Sequence, residues 1–366
     1  MAELDLPEVL AVDRAGLIDG LASSVDVFDA ARAGAAALDI PFAADAIANV
    51  LICGMGGSAV AGDLIASLYY ERTRVPLLVH RGYYLPGWAD DRTLAVLMSY
   101  SGETEETLTA AMQALERESP AVAITSGGKL DTWYNGKHGV PVLPIPPGLQ
   151  PRMALLHMLI PAVVILARLG VIPPQDQELD AARDAIAAAI DAYGPDRPTE
   201  ANPAKQLAER LHDRVPVVYG AEVTAGIAFR WKCQFNENAK QPAFWAALPE
   251  MNHNEIVGWE DAREFGDLAR IVMLRDPRQH RQVERRLALT REIISPRVSG
   301  VLTIEGEGES PLARAIDLVL LGDYVSLYAA CLRRVDPEPV ESIGVLKAGL
   351  ATTGNQRLRA GESGSI

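Results

Sequence analysis

Short apolar runs, each closed by turn residues, recur along the first 150 positions. They read "NVLICGMG", "VPLLVH" (75–80), "TLAVLMSYSG" (93–102), "PAVAITSG" (120–127) and "VPVLPIP" (140–146). Each has the length and composition of a buried strand. Most are separated by stretches whose apolar residues fall at helical spacing, as in "EETLTAAMQALERE". Strand and helix in alternation predict a parallel, doubly wound sheet. Ahead of it, residues 1–48 read as helical, with "GLIDGLASSVDVFDAARAGAAAL" carrying the clearest period.

The order then repeats. The longest apolar run, "MALLHMLIPAVVILARLG" (153–170), is interrupted by His157, Pro161 and Arg168 and predicts a buried core helix, not a membrane span. After this helical bridge, "YGPDRPTEANP" (193–203) has the composition of a linker. "RVPVVYGAEVTAGIAFRWKCQFNENAK" then resembles the opening unit: a strand, a turn containing Gly220, and a helix. "ARIVMLRD" (269–276), "REIISPRVSGVLTIEGEG" (291–308) and a helix from Pro311 to about Arg334 complete a second α/β unit. The pattern predicts an internal duplication: one unit with flanking helices over 1–195, a second over 196–350, and a disordered tail over 351–366, where "ATTGNQRLRAGESGSI" has no apolar periodicity.

A length of 366 residues leaves room for two domains, and 49% hydrophobic with 22% charged residues is ordinary globular composition. A formal charge of −14 argues against a nucleic-acid partner, which needs a basic face. Cys53, Cys233 and Cys331 lie far apart with no CxxC spacing, so neither a zinc site nor a disulfide framework is expected. The acidic start "MAELDLPEVLAVD" is unlike a signal peptide. The expectation is a cytoplasmic protein without a membrane partner.

The candidate chemistry begins at "CGMGGSAVAGD" (53–63), a glycine turn between a strand and a helix. Gly54 to Ala59 satisfy GxGxxA, so a dinucleotide site is a competitor. That motif wants an acid about 20 positions on, at the end of the next strand; here the strand ends in His80 and Arg81. The following strand ends in "SYSGETEETL", placing Ser99, Ser101 and Thr104 at a strand end that leads into a helix. Three hydroxyls with helix N-terminal N–H groups make an anion pocket that needs no lysine. The alternative is helix capping, since Ser101 or Thr104 followed by glutamates resembles a capping box.

With these residues in view, the chain resembles the sugar isomerase (SIS) fold. "GMGGSAVAGD", "SYSGETEET", "PRMALLHML", "NENAK", "LPEMNHNEIVGWE" and "DPEPVESIGVLK", in this order, resemble the bifunctional phosphoglucose/phosphomannose isomerases over about residues 45–350. The resemblance implies two SIS subdomains in tandem and a hexose 6-phosphate substrate. It implies that Gly57, Ser58, Ser99, Ser101 and Thr104 hold the phosphate. Glu237 would then move the proton between C2 and C1; read from the residues alone, it is a solvated glutamate paired with Lys240. His253 would open the sugar ring, and its polar surroundings "NHNE" read as costly to bury without purpose. His253 with Glu255 could suggest a metal, but two ligands make a poor site. Lys347 would assist ring opening, the alternative being a helix C-terminal lysine on the dipole. Arg152 would steady the enediolate, the alternative being an exposed first-turn residue.

The resemblance further implies a homodimer in which His253 serves the partner's site, with no metal and no cofactor. In dual-specificity members a small residue, often threonine, stands seven positions before the terminal lysine; here it is Val340. The expected activity is interconversion of glucose 6-phosphate, and of mannose 6-phosphate, with fructose 6-phosphate. Two rivals remain open: a non-catalytic sugar-phosphate sensor, which should carry a basic DNA-binding stretch, and a glutamine-dependent hexosamine synthase, which should begin with a nucleophilic cysteine domain. Neither feature is visible.

Overall fold

The computed structural model describes residues 2–135 and 137–350; the expected disordered tail over 351–366 lies outside them. The first sheet contains β1 (Asn49–Cys53), β2 (Leu77–His80), β3 (Thr93–Ser99), β4 (Ala121–Thr125) and β5 (Val142–Pro144), all parallel, in the order β2-β1-β3-β4-β5. The second contains β6 (Val215–Ala221), β7 (Phe244–Leu248), β8 (Ala269–Arg275) and β9 (Val301–Glu305), also parallel, in the order β7-β6-β8-β9. Apart from the additional β5, the two orders match strand for strand, as expected of a duplicated, doubly wound fold. Strands β3 and β4 are buried throughout, because parallel sheets are covered on both faces and their strands read as unbroken apolar runs. Strand β7 escapes the sequence pattern: it is an edge strand that starts with the exposed Phe244 and Trp245.

Helices used below are α1 (Ser24–Ala37), α2 (Gly56–Leu68), α3 (Glu105–Glu116), α4 (Leu155–Arg168), α5 (Asp176–Tyr193), α6 (Pro203–Leu211), α7 (Val223–Glu237) and α8 (Pro311–Leu332). The apolar run at 153–170 forms α4, buried from Leu155 to Leu166. Its terminal Arg168 donates to the carbonyls of Ala35 and Leu38, both at 2.7 Å, and so closes the end of α1. Helix α8 is long and apolar enough to cross a membrane, yet the whole of its apolar stretch is buried inside the protein. Its polar groups are tied to neighbours: the Tyr193 hydroxyl donates to Asp317 at 2.7 Å, Trp231 Nε1 donates to the Leu318 carbonyl at 2.8 Å, and Arg230 pairs with Asp323 at 2.7 Å. It is the core helix between α5, α6 and α7.

The linker reading of 193–203 is corrected. Tyr193, Thr199 and Asn202 are buried, and the Asn202 side chain satisfies four backbone groups. Its oxygen accepts from the N–H of Ala204 and Lys205, both at 3.0 Å, capping α6; its amide donates to the carbonyls of Tyr193 and Gly194 at 3.0 and 2.9 Å. Asp5 from the N-terminus clamps the same segment through Thr199 and Lys205. Pro, Gly and polar residues mark a helix cap as readily as a linker. Asn202→Ala strands several buried groups at once and should cost about 2–4 kcal/mol, read as a lower denaturant midpoint at unchanged slope; a loss under half of that would return the segment to a loose tether.

Candidate active site

The chain leaves β1 through α2 to β2 on one side and places β3 on the other. The carboxyl ends of β1 and β3 therefore flank the switch point, the crevice where open α/β sheets bind ligands. Met55 at the start of α2 makes no side-chain cap bond, so the first-turn N–H groups have no intrahelical acceptor. Gly57 lets this turn approach the 3-10 turn Pro151–Met153: a Cβ there would stand 3.0 Å from the Pro151 carbonyl oxygen. Ser58 is buried, and no described residue hydrogen-bonds its hydroxyl.

Across the crevice the three predicted hydroxyls knit one loop. Ser99 Oγ lies 2.9 Å from Thr104 Oγ1 and accepts from the Gly102 N–H at 3.1 Å, while Ser101 Oγ accepts from the Glu103 N–H at 3.2 Å. Gly102 is obligatory: its φ is +66°, and a Cβ would overlap the Gly127 carbonyl. Thr104 does occupy the N-cap position of α3, but its side chain makes no cap bond; it turns to Ser99 instead. The capping alternative thus fails for this residue. Ser99 is buried, Thr104 half-buried and Ser101 exposed.

Arg152 is almost fully buried, with 4% of its surface exposed, which corrects the exposed first-turn alternative. Its Nε donates to Asn238 Oδ1 at 2.6 Å, Nη1 to Gln150 Oε1 at 3.3 Å, and Nη2 to the carbonyls of Pro337 and Glu338 at 2.7 and 2.9 Å. Burial pulls its pKa below the ordinary guanidinium value, against the opposing pull of the Glu237 and Glu338 carboxylates. Arginine stays charged nonetheless. Nη1 lies 3.9 Å from Glu237 Oε2. Glu237 is the last residue of α7 and remains partly exposed. Lys240 does not pair with its carboxylate; Lys240 Nζ donates to the Glu237 carbonyl at 2.6 Å and to that of Pro337 at 2.9 Å.

Glu237 and Val340 face one cavity of about 740 Å³, also lined by Asn236, Lys240, Asp336 and Ser342. Lys347 is not among the lining residues; it stands on the exposed helical segment 341–350. His253 ends the 3-10 turn Glu250–His253 and is exposed, as are Asn254 and Glu255. The premise that "NHNE" is buried is therefore corrected, and His253 does not meet Glu237 within this chain's cavity. Among the described residues no group of three or more His, Cys, Asp or Glu side chains could hold a metal ion. Burial pushes the Cys53 and Cys331 thiols up to about 12, which leaves them inert.

The sequence pattern of the bacterial phospho-glucose isomerase C-terminal SIS domain matches residues 200–350. The chain is 42% identical over 309 residues to the bifunctional phosphoglucose/phosphomannose isomerase of Caldicellulosiruptor bescii, covering 84% of this chain and 91% of that one. This chain belongs to that family. Among solved structures it is similar to a glucose-6-phosphate isomerase like protein from Thermus thermophilus, with a TM-score of 0.65, 23% identity, and 92% and 98% of the two chains covered. It is also similar to the C-terminal domain of glucosamine-fructose-6-phosphate aminotransferase from Francisella tularensis, with a TM-score of 0.72, 14% identity, and 88% and 98% covered. Both likenesses show the fold: tandem SIS subdomains with parallel sheets.

Members of this SIS isomerase/epimerase family act on phosphosugars, so an anion-ready turn beside a buried cation is what their chemistry needs. Sequence reasoning missed Asn238, the residue that grips Arg152 from inside the "NENAK" motif, because asparagines carry no chemistry of their own to flag them. Its other amide contact is Ser326 Oγ at 2.9 Å. Asn238→Ala should cost about 1–3 kcal/mol by orphaning the buried Arg152 Nε, measurable by chemical denaturation. Retention of full stability would mean that Arg152 has another acceptor.

Proposed function

We propose that this chain interconverts glucose 6-phosphate and fructose 6-phosphate, and also converts mannose 6-phosphate, without metal or cofactor. The observation that carries the reading is Arg152 held beside the Glu237 carboxylate and against the Gly57 turn. The hydroxyls of Ser58, Ser99, Ser101 and Thr104 and the Gly57 N–H receive the phosphate. Glu237 takes the proton from C2 of the open aldose; the electron pair moves to the C1 oxygen, giving an enediolate that Arg152 steadies by charge. Return of the proton to C1, with the C2 hydroxyl proton passing to the C1 oxygen, gives the ketose. Val340 shares the Glu237 cavity, which supports a role for it in choosing the C2 epimer, since rotation about C2–C3 needs room there. Lys347 assists ring opening from segment 341–350, whose first residues line that cavity.

Purified protein should turn over glucose 6-phosphate in the presence of EDTA, and mannose 6-phosphate less efficiently. Ser101→Ala and Thr104→Ala should each raise KM by an amount worth about 1–3 kcal/mol of charge-assisted hydrogen bonding. Unchanged kinetics in both would move the phosphate elsewhere. Activity lost to EDTA and restored by zinc would overturn the mechanism.

The exposure of His253, away from its own chain's Glu237 cavity, supports a homodimer in which it opens the ring in the partner's site. Mixing inactive Glu237→Gln and His253→Ala proteins under subunit exchange tests this. About half of the dimers become mixed, and one site of each mixed pair collects neither lesion. About a quarter of all sites should then regain full activity if sites act independently. No rescue despite demonstrated exchange would put His253 in its own chain's site or outside the mechanism.

A further inference from the structure

A second cavity, about 240 Å³, opens between the N-terminal helices and the start of α4. Its mouth is formed by Leu149, Gln150 and the exposed Glu338; its floor by Leu21, Ser24, Leu156 and His157, all buried. Arg152, Glu237 and the residues assigned above to the phosphate do not line it. Two features of the floor call for a ligand. His157 is 5% exposed and Ser24 6%, and neither side chain has a hydrogen-bond partner among the described residues. Both side chains line this cavity with hydrogen-bonding capacity that no described residue uses, so a ligand entering with a hydroxyl meets a donor and an acceptor at the floor. Burial lowers the His157 pKa, so its ring is neutral and offers one donor and one acceptor. The walls are otherwise largely apolar, through Leu17, Leu21, Val27, Met153 and Leu156. Glu338 at the mouth disfavours an anion.

We propose that this cavity is a second ligand site for an uncharged small molecule that carries a hydroxyl at its buried end and an apolar body. The hydroxyl donates to the His157 ring or accepts from Ser24, and the body fills the leucine-lined slot. An occupant also touches the support of Arg152: Gln150 and Glu338 are wall residues here and bond partners of the guanidinium there, and Gln150 Nε2 donates to Glu338 Oε1 at 3.3 Å. Occupancy therefore alters turnover, a consequence that rests on the isomerase reading, whereas the binding itself does not.

Phenol is the probe, with toluene as the same body lacking the hydroxyl. Calorimetry on the full chain, without sugar, should show saturable phenol binding in the millimolar range and at least tenfold weaker toluene binding. His157→Phe, which keeps the ring shape and removes both nitrogens, should weaken phenol at least tenfold; Ser24→Ala serves as the second variant should the first fail to fold. No saturable binding of phenol, equal affinity in wild type and the folded variant, or toluene binding as tight as phenol would each overturn the site. In wild type, saturating phenol should change kcat by at least twofold and leave the His157→Phe enzyme unaffected. Binding without that change overturns the link to Arg152. A protein that turns over no hexose phosphate at all fails the isomerase reading, while calorimetry still decides the site.

Discussion

Everything at the site depends on one buried cation. Taking a guanidinium out of water is costly unless each donor is met, and Arg152 meets that condition by drawing on three stretches far apart in sequence. Gln150 comes from its own turn, Asn238 from the end of α7, and the Pro337 and Glu338 carbonyls from the segment after α8. Its own carbonyl accepts from Arg230 Nη2 at 3.0 Å, and Arg230 is locked to Asp323 inside the core. Glu237 precedes Asn238, so fixing the asparagine also fixes where the carboxylate can reach. The second α/β unit thus works as the frame that holds the first unit's cation.

That division explains why a duplicated fold carries one such turn and not two. In the first unit a glycine turn leaves N–H groups open at the switch point. The matching turn in the second unit holds Glu222, at a φ of +49°, with its carboxylate accepting from the His280 N–H at 3.1 Å. Thr224 Oγ1 closes the turn from within, bonding Ala221 and the Leu274 carbonyl. At the end of the adjacent β8, Asp276 is already paired with Arg314. A carboxylate at the turn and an aspartate already paired beside it make this crevice a poorer anion site than the first unit's.

How much of this could be read from sequence follows from the physics of each signal. Eight of the strands are read as apolar runs, most plainly the central β1, β3, β4, β6 and β8, which parallel packing buries almost throughout; β7, a short edge strand inside a longer run, is not. The hydroxyl triplet is legible as a cluster, but its two readings use the same residues. Only the geometry at the end of β3 decides that Thr104 turns to Ser99 rather than to the helix N–H groups. The segment 193–203 misleads because Asn202 and its prolines serve a cap and a linker equally well. Asn238 is invisible in sequence since its meaning lies in Arg152, 86 positions away. The polar run at His253 gives the reverse error: its polarity suggests purposeful burial, while the chain simply exposes it.

There remains the question of how a chain with a formal charge of −14 could hold a phosphate on hydroxyls and backbone alone. Distant surface charges count for little, because at physiological salt they are screened beyond about 8 Å. The carboxylates that matter are Glu103, Glu105 and Glu106, next to the loop itself. Two of these are engaged elsewhere: Glu103 accepts from the Lys129 N–H and pairs with Lys129 Nζ at 3.1 Å, and Glu105 takes the Tyr83 hydroxyl at 3.4 Å. With those acids drawn towards neighbours, the groups beside the loop left without a partner among the described residues are the first-turn N–H groups of α2 and the Ser58 hydroxyl. It is this local arrangement of donors, more than the overall charge, that an anion bound beside the loop would meet.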